Sequence, residues 1–344
     1  MKEWYHIPLV AIFISSIACF SQVHIELQQP KLERDVGLAA QCAVLTKREN
    51  VEPVTFLFSH GLWGSKKNAD WYAPTERSGW HLFTCPFFSF DYPDVGKKKG
   101  QVKWDKVNIG QESDMKALQN AIIEIKKKHL TDAYKNSDYK GINEEIVLIG
   151  SSRGAITGLN LLGSYPNKNF YIKAFVAEAP TDNISSIIQK KLGDWYLDWD
   201  WLVSLSDAAL NKFYYKQYDP NGINPLTVVE KINKKIPVLF VHSKRDEFSP
   251  IDGTRALYYR MKESGHDDIY LVELAYGKHG KYNLGKSSEN YQAAVHAFYK
   301  RYDIPYDPEL ALKGEPILAK SQPSLLEVEK RMSRRPHLKY YQEL

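Results

Sequence analysis

The chain carries a serine inside a glycine-x-serine-x-glycine motif, formed by Gly150, Ser152 and Gly154. An apolar β-branched run at 146–149 precedes the first glycine, and apolar residues at helical spacing follow the second. This context predicts a sharp turn from a strand into a helix, with the serine beside the unpaired N–H groups of the helix N-terminus. A serine there can attack a carbonyl carbon, because the helix dipole favours developing negative charge. The alternative is an ordinary turn whose serine caps the helix.

Two other loops offer the base and the acid that such a serine needs. His279 lies between glycines in the loop after the apolar run 270–274, and this flexibility suits a histidine that reaches across to a serine. Asp246 follows the apolar run 238–241, and an acid there can hold an imidazole in one tautomer. The neighbouring Glu247 is the alternative acid.

A third apolar run, 54–58, ends near His60 and Gly61. Glycine lets the backbone turn its N–H groups inward. The N–H of Leu62 and the N–H of Arg153, directly after the serine, are therefore candidate donors to an oxyanion. Both donors are backbone groups, so this role does not depend on the two side chains. The alternative is that His60-Gly61 is only the end of a strand.

The order Ser152, Asp246, His279 resembles that of the α/β-hydrolase superfamily. The chain is most similar to members whose acid loop runs strand, His-Ser or His-Gly, then Asp, such as lysophospholipase-like, monoglyceride-lipase-like and serine-aminopeptidase-like proteins. That pattern favours the aspartate over the adjacent glutamate. The resemblance covers most of 54–302 and implies an α/β-hydrolase fold and a serine hydrolase that forms an acyl-enzyme. Ser151 stands where these proteins often have His or Tyr, which leaves the substrate class open.

Apolar runs and one-sided helical patterns alternate along the chain, which predicts a mostly parallel central sheet with helices on both faces. We expect strands at 55–59, 87–91, 145–150, 174–178, 238–242 and 270–274. We expect helices at 112–130, 153–165, 254–264 and 290–302. A further strand and a short amphipathic segment are expected within 23–50.

The alternation stops at about 182–235, where helical patterns predict a cap inserted over the site. Three tryptophans of this insertion, and one in the His-Gly turn, are candidates to line the substrate pocket or a lid. They are Trp195, Trp199, Trp201 and Trp63. The alternative is that they join the cap to the core. Apolar and aromatic candidates favour an ester substrate, whereas Asp198 and Asp200 keep a short peptide with a free amine as the alternative.

The N-terminus, 1–21, has a positive start, an apolar core of about a dozen residues and then small residues, the pattern of a secretory signal. We therefore expect an exported protein, periplasmic or secreted, with a hydrolase domain at 22–303 and a C-terminal extension at 304–344. One alternative is a lipoprotein anchored to the membrane through Cys19; otherwise membrane contact is expected to be transient. A buried N-terminal strand is another alternative.

The composition limits the possible partners. The chain has 344 residues and a formal net charge of +5, without a basic stripe interleaved with aromatics, so nucleic-acid binding is not indicated. No Cys/His cluster suggests a metal, and we expect no cofactor. Export would permit a disulfide between Cys42 and Cys85. The expected partner is a small acyl ester or short peptide; a non-catalytic binding protein on the same scaffold is the remaining alternative.

Overall fold

The computed structural model describes residues 54–72, 86–96, 101–130, 144–168, 170–182, 187 and 217–332. Its strands are β1 (Thr55–Ser59), β2 (Phe87–Ser89), β3 (Ile146–Ser151), β4 (Ile172–Glu178), β5 (Val238–Ser243) and β6 (Ile269–Leu274). Its α-helices are α1 (Glu112–Leu130), α2 (Arg153–Ser164), α3 (Pro225–Val228), α4 (Ile251–Glu263), α5 (Ser288–Arg301), α6 (Pro308–Ala319) and α7 (Leu325–Arg331). Short 3₁₀ helices span Lys66–Trp71, Trp104–Lys106 and Val229–Lys231.

The six strands form one sheet in the order β2-β1-β3-β4-β5-β6, and every neighbouring pair is parallel. The carboxyl ends of all six strands therefore meet at the same edge, where open α/β sheets place their functional loops. β3 lies inside the sheet, between β1 and β4. The predicted α/β fold with a parallel sheet is confirmed.

The strands are continuous apolar runs because helices cover both faces of the sheet. Alternate residues of a strand point to opposite faces. In β1, Phe56 and Phe58 join one core cluster with α5 and α6, whereas Leu57 joins the other with α1, α2 and α4. In β3, Val147 and Leu148 divide between the two clusters in the same way. The sheet is thus buried on both sides and holds its carboxyl edge rigidly.

The six strands expected between 55 and 274 and the four helices expected between 112 and 302 are present, with ends displaced by at most three residues; β1 and α1 coincide with their predicted ranges. Sequence reasoning missed α6. Asp307 caps this helix by accepting the N–H groups of Glu309 (2.7 Å) and Leu310 (3.1 Å), and Pro308 occupies its first turn. These are standard signals of a helix start. Helix α7 begins after Ser324, whose side chain accepts the N–H of Glu327.

Several predictions fall on residues outside the described ranges. These are the segment 1–21, the strand within 23–50, Cys19, Cys42, Cys85, Asp198, Asp200, Trp195, Trp199 and Trp201. Of the predicted insertion, 217–235 is described, and it contains α3 and the 3₁₀ helix Val229–Lys231. None of the helices in the described ranges has the length and apolar composition needed to cross a membrane.

Candidate active site

Ser152 lies at the turn between β3 and α2, with φ 52° and ψ −116°. This backbone conformation is unfavourable for a residue with a side chain, and such strain is concentrated at functional sites. The turn is tight because α2 starts against β1. A Cβ added at Gly154 would overlap the carbonyl oxygen of Ser59, so only glycine fits there. The second glycine of the motif therefore permits the contact that presents the serine.

Ser152, His279 and Asp246 lie in one hydrogen-bonded line. Nε2 of His279 is 2.8 Å from Oγ of Ser152, and Nδ1 of His279 is 2.8 Å from Oδ2 of Asp246. With the proton on Nδ1, the imidazole donates to the carboxylate and accepts from the serine hydroxyl. The three residues come from the loops after β3, β5 and β6, so the parallel sheet brings together side chains that are distant in sequence. The structure thus brings together all three of the predicted candidates.

Asp246 is held as an acceptor on both oxygens. The N–H groups of Phe248 (2.7 Å) and Ser249 (2.8 Å) donate to Oδ1, and the hydroxyl of Tyr282 joins His279 on Oδ2. Burial alone would raise the pKa of this carboxyl. The hydrogen bond and charge of His279 outweigh burial and hold the pKa well below its usual range. Asp246 is therefore a fixed anion behind the imidazole.

The His60-Gly61 turn lies directly beside the serine. A Cβ added at Gly61 would be 3.3 Å from Cβ of Ser152 and 3.9 Å from its Oγ. The following N–H, that of Leu62, and the N–H of Arg153 at the start of α2 thus belong to the backbone on two sides of Ser152. This is the arrangement expected of an oxyanion-binding pair, since the first N–H groups of a helix have no intrahelical acceptor.

His60 fixes this turn and does not titrate near neutral pH. It is buried, and burial lowers its pKa to about 4. The neutral ring bonds through Nδ1 to the carbonyl of Gly61 (2.8 Å) and accepts through Nε2 from the N–H of Tyr92 (3.4 Å). The sequence analysis assigned no separate role to this side chain, which here stabilises the glycine turn.

Comparisons with known proteins give the fold but not the activity. No family model matches the chain. The Bacillus subtilis protein YqkD, which is described as uncharacterized, is 31% identical over 152 residues, or 43% of this chain and 46% of that protein. The chain thus spans about half the length of the curated relative that it matches.

Solved structures that the chain resembles include the Pyrococcus furiosus esterase Pf2001. It is 18% identical, with a TM-score of 0.50 over 74% of this chain and 84% of that chain. A Pyrococcus horikoshii acylaminoacyl peptidase is also 18% identical, with a TM-score of 0.49 over 76% of this chain and 39% of that chain. The chain has the α/β-hydrolase fold.

In this α/β-hydrolase fold, the Arg153 side chain anchors the nucleophile turn. It is 1% exposed. Its Nε and Nη2 donate to the two oxygens of Asp114 (both 2.6 Å), and Nη2 is 2.8 Å from Asp94. Burial alone would lower the pKa of Arg153. The carboxylates of Asp114 and Asp94 raise it by more than burial lowers it, so the guanidinium stays charged. The sequence did not reveal this role, because both partners are distant along the chain.

Two aromatic side chains border the ring of His279. Trp63 is 44% exposed and packs edge-on to Phe248, with ring centroids 5.8 Å apart. Phe248 in turn lies 4.8 Å from the ring of His279. We call Trp63 and Phe248 the aromatic shelf. Trp63 was a pocket candidate from the sequence, whereas Phe248 was missed, because a lone aromatic two residues after the acid carries no distinctive pattern.

No group of three or more His, Cys, Asp or Glu side chains is arranged to hold a metal ion within the stretches that the structure describes.

Proposed function

We propose that the chain is a serine hydrolase that cleaves a carboxylic ester through an acyl-enzyme. The observation that carries this proposal is the hydrogen-bonded line from Ser152 through His279 to Asp246, at the carboxyl edge of the sheet. Gly61 and the start of α2 lie beside Ser152, where backbone donors to an oxyanion are needed. Together these groups supply a nucleophile, a base, an orienting acid and donors for developing charge.

In the first half-reaction, Nε2 of His279 accepts the hydroxyl proton of Ser152 as Oγ attacks the ester carbonyl carbon. Asp246 stabilises the imidazolium that forms. The N–H groups of Leu62 and Arg153 bind the oxyanion, and loss of one such donor costs about 10²- to 10³-fold in rate. The C–O bond to the leaving group then breaks, and the imidazolium gives its proton to the departing alcohol.

In the second half-reaction, water attacks the acyl group on Ser152 while His279 takes one of its protons. The tetrahedral intermediate collapses, the carboxylic acid leaves, and the proton returns to Oγ. No redox partner is needed, because bonds are exchanged without a change of oxidation state.

The aromatic shelf supports an ester with an apolar part. Trp63 and Phe248 place exposed aromatic surface next to the base, where an acyl chain or a leaving group can bury it. Hydrolysis of a short peptide or amide is the alternative reaction, and it forms a separate arm of the test below.

The decisive experiment is labelling with a fluorophosphonate probe, which reacts with activated serines. We expect the wild-type protein and Ser264→Ala to be labelled, and Ser152→Ala not to be. Ser264 is a matched control because it lies at the C-terminus of α4, away from the site, where its hydroxyl bonds to the Met261 carbonyl. Labelling of Ser152→Ala would refute the nucleophile.

Kinetics with p-nitrophenyl esters beside aminoacyl amides then separate the two reactions. A higher kcat/KM for the amides would replace the ester proposal by the peptidase alternative. A folded wild-type protein that is inert to the probe would favour a non-catalytic binding protein instead.

A further inference from the structure

A buried carboxyl group lies directly behind the nucleophile turn and takes no part in the reaction described above. It belongs to Glu178, the last residue of β4, which is 0% exposed. The parallel register sets Glu178 opposite Ser151, and its carbonyl accepts the N–H of Ser152 (2.8 Å). The backbone of Glu178 thus holds the nucleophile, and its side chain lies in the same buried space.

The side chain of Glu178 joins segments that carry different parts of the site. The hydroxyl of Tyr72 donates to Oε2 (2.5 Å), and the side chain of Ser151 lies close enough to this phenol to lower its pKa. Tyr72 directly follows the 3₁₀ helix Lys66–Trp71, which continues from the His60-Gly61 turn. The oxyanion segment and the nucleophile turn are therefore connected through one phenol and one carboxyl.

The histidine loop is attached to the same group. The backbone N–H of Tyr282 and the phenol of Tyr291, from α5, lie near the Glu178 carboxyl and lower its pKa. The hydroxyl of Tyr282 meanwhile donates to Asp246. Tyr282 follows His279 by three residues in the same loop. It therefore links Glu178 to Asp246, the acid that orients His279.

We propose that Glu178 is a positioning residue for the reaction of Ser152 with His279, because its carboxyl ties the oxyanion segment, the nucleophile turn and the histidine loop to one point. The inference rests on the proposed function. Glu178 does not touch the substrate in this scheme; it sets the distance between groups that do, and a misplacement of about 1 Å can cost about 100-fold in rate.

The charge of this carboxyl is coupled to the same chemistry. Burial raises the pKa of Glu178 to about 7, against the hydrogen bonds from Tyr72, Tyr282 and Tyr291 and the charge of His279, which lower it. Burial also raises the pKa of all three phenols well above its usual value, so they remain neutral. An ionised Glu178 favours the imidazolium that forms during attack.

The test is Glu178→Gln, which keeps the size and one acceptor oxygen but cannot ionise. We expect kcat to fall about 10- to 100-fold with KM changed less than about twofold. The acid limb of log kcat against pH should be steeper in the wild type than in Glu178→Gln, because the Glu178 carboxyl adds a second ionisation that the variant lacks. Tyr72→Phe should shift the second ionisation to higher pH, because it removes a hydrogen bond that lowers the Glu178 pKa.

Glu273→Gln is the matched control. Glu273 is also a largely buried carboxylate near the carboxyl end of a strand, β6, but it pairs with Arg255 (2.8 Å). This variant should lose stability while keeping the wild-type slope and kcat. All rates are to be divided by the number of active sites, titrated with the fluorophosphonate probe.

Wild-type kcat and an unchanged slope in Glu178→Gln would overturn the inference. So would a loss that disappears after active-site titration, because this indicates only fewer folded molecules. Failure of the proposed function would show separately, as a wild-type protein that is not labelled at Ser152.

Discussion

Replacing Asp246 with asparagine tests the direction of the hydrogen bonds that join Ser152, His279 and Asp246. One acceptor oxygen becomes an NH₂ donor at nearly constant size. The N–H groups of Phe248 and Ser249 both point at Oδ1, so the asparagine must keep its oxygen there. Its NH₂ group then occupies the place of Oδ2 and donates to Nδ1 of His279. The imidazole proton is forced onto Nε2, the atom that has to receive the proton of Ser152.

The size of the loss in kcat follows from this tautomer of His279, whose Nε2 cannot accept the Ser152 proton. We expect kcat to fall about 10³- to 10⁴-fold, which corresponds to about 4–5.5 kcal/mol of lost transition-state stabilisation. KM should change less than about threefold, because the Asp246 side chain is 1% exposed and does not reach the substrate. The Tyr282 hydroxyl loses a charged acceptor, so we expect the free energy of unfolding to fall by about 1–3 kcal/mol.

The assay is steady-state hydrolysis of a p-nitrophenyl ester, with urea denaturation to follow the folded fraction. Glu247→Gln is the matched control, because Glu247 is the exposed neighbour and its carboxylate is not the one on His279. We expect its kcat to lie within about twofold of the wild type.

A folded Asp246→Asn protein with kcat within tenfold of the wild type would refute this reasoning. It would mean that another group fixes the tautomer. The hydroxyl of Ser249, 3.2 Å from Nδ1 of His279, is the group that would then be responsible, and the double variant with Ser249→Ala would identify it.

Two further predictions concern stability. Asp114→Ala leaves the Arg153 guanidinium buried without its bidentate partner, so the free energy of unfolding in urea should fall by about 3–5 kcal/mol. The control Lys127→Ala breaks an exposed ion pair and should lower the free energy of unfolding by less than about 1 kcal/mol. Equal losses in the two variants would contradict the stabilising role of the buried pair. The raised Glu178 pKa means that the folded state keeps a proton that the unfolded chain releases above pH 4.5, so stability present below that pH is lost as the pH rises through about 7. The free energy of unfolding of Glu178→Gln minus that of the wild type should therefore increase by about 3 kcal/mol between pH 4.5 and pH 8, and a constant difference would contradict the shift.

The strands and the order of the site residues are readable from the sequence for a local reason. Each strand is a short apolar run that ends in polar or glycine-rich residues, and a parallel sheet gathers all such ends at one edge. Ser152, Asp246 and His279 each follow such a run, so their approach requires only the sheet and no knowledge of side-chain contacts.

The residues that support the site are not readable in this way, because their partners are set by the tertiary fold. Arg153 stands inside the serine motif, yet nothing local indicates Asp94 or Asp114 as its partners. Glu178 looks like the polar end of a strand until the β3–β4 register places it opposite Ser151. The cap of α6 is different: Asp307 and the following proline were local signals, and they were missed rather than absent.

Asp246 and Glu178 show that one site can lower the pKa of one carboxyl group and raise the pKa of another. Both are buried, and burial opposes ionisation of both. The hydrogen bond and charge of His279 outweigh burial at Asp246, so its pKa falls, whereas burial remains dominant over the phenols and one amide at Glu178. The backbone N–H of Tyr282 lies near Glu178 and its hydroxyl donates to Asp246, so ionisation of Glu178 near neutral pH is coupled through one residue to the anion behind His279.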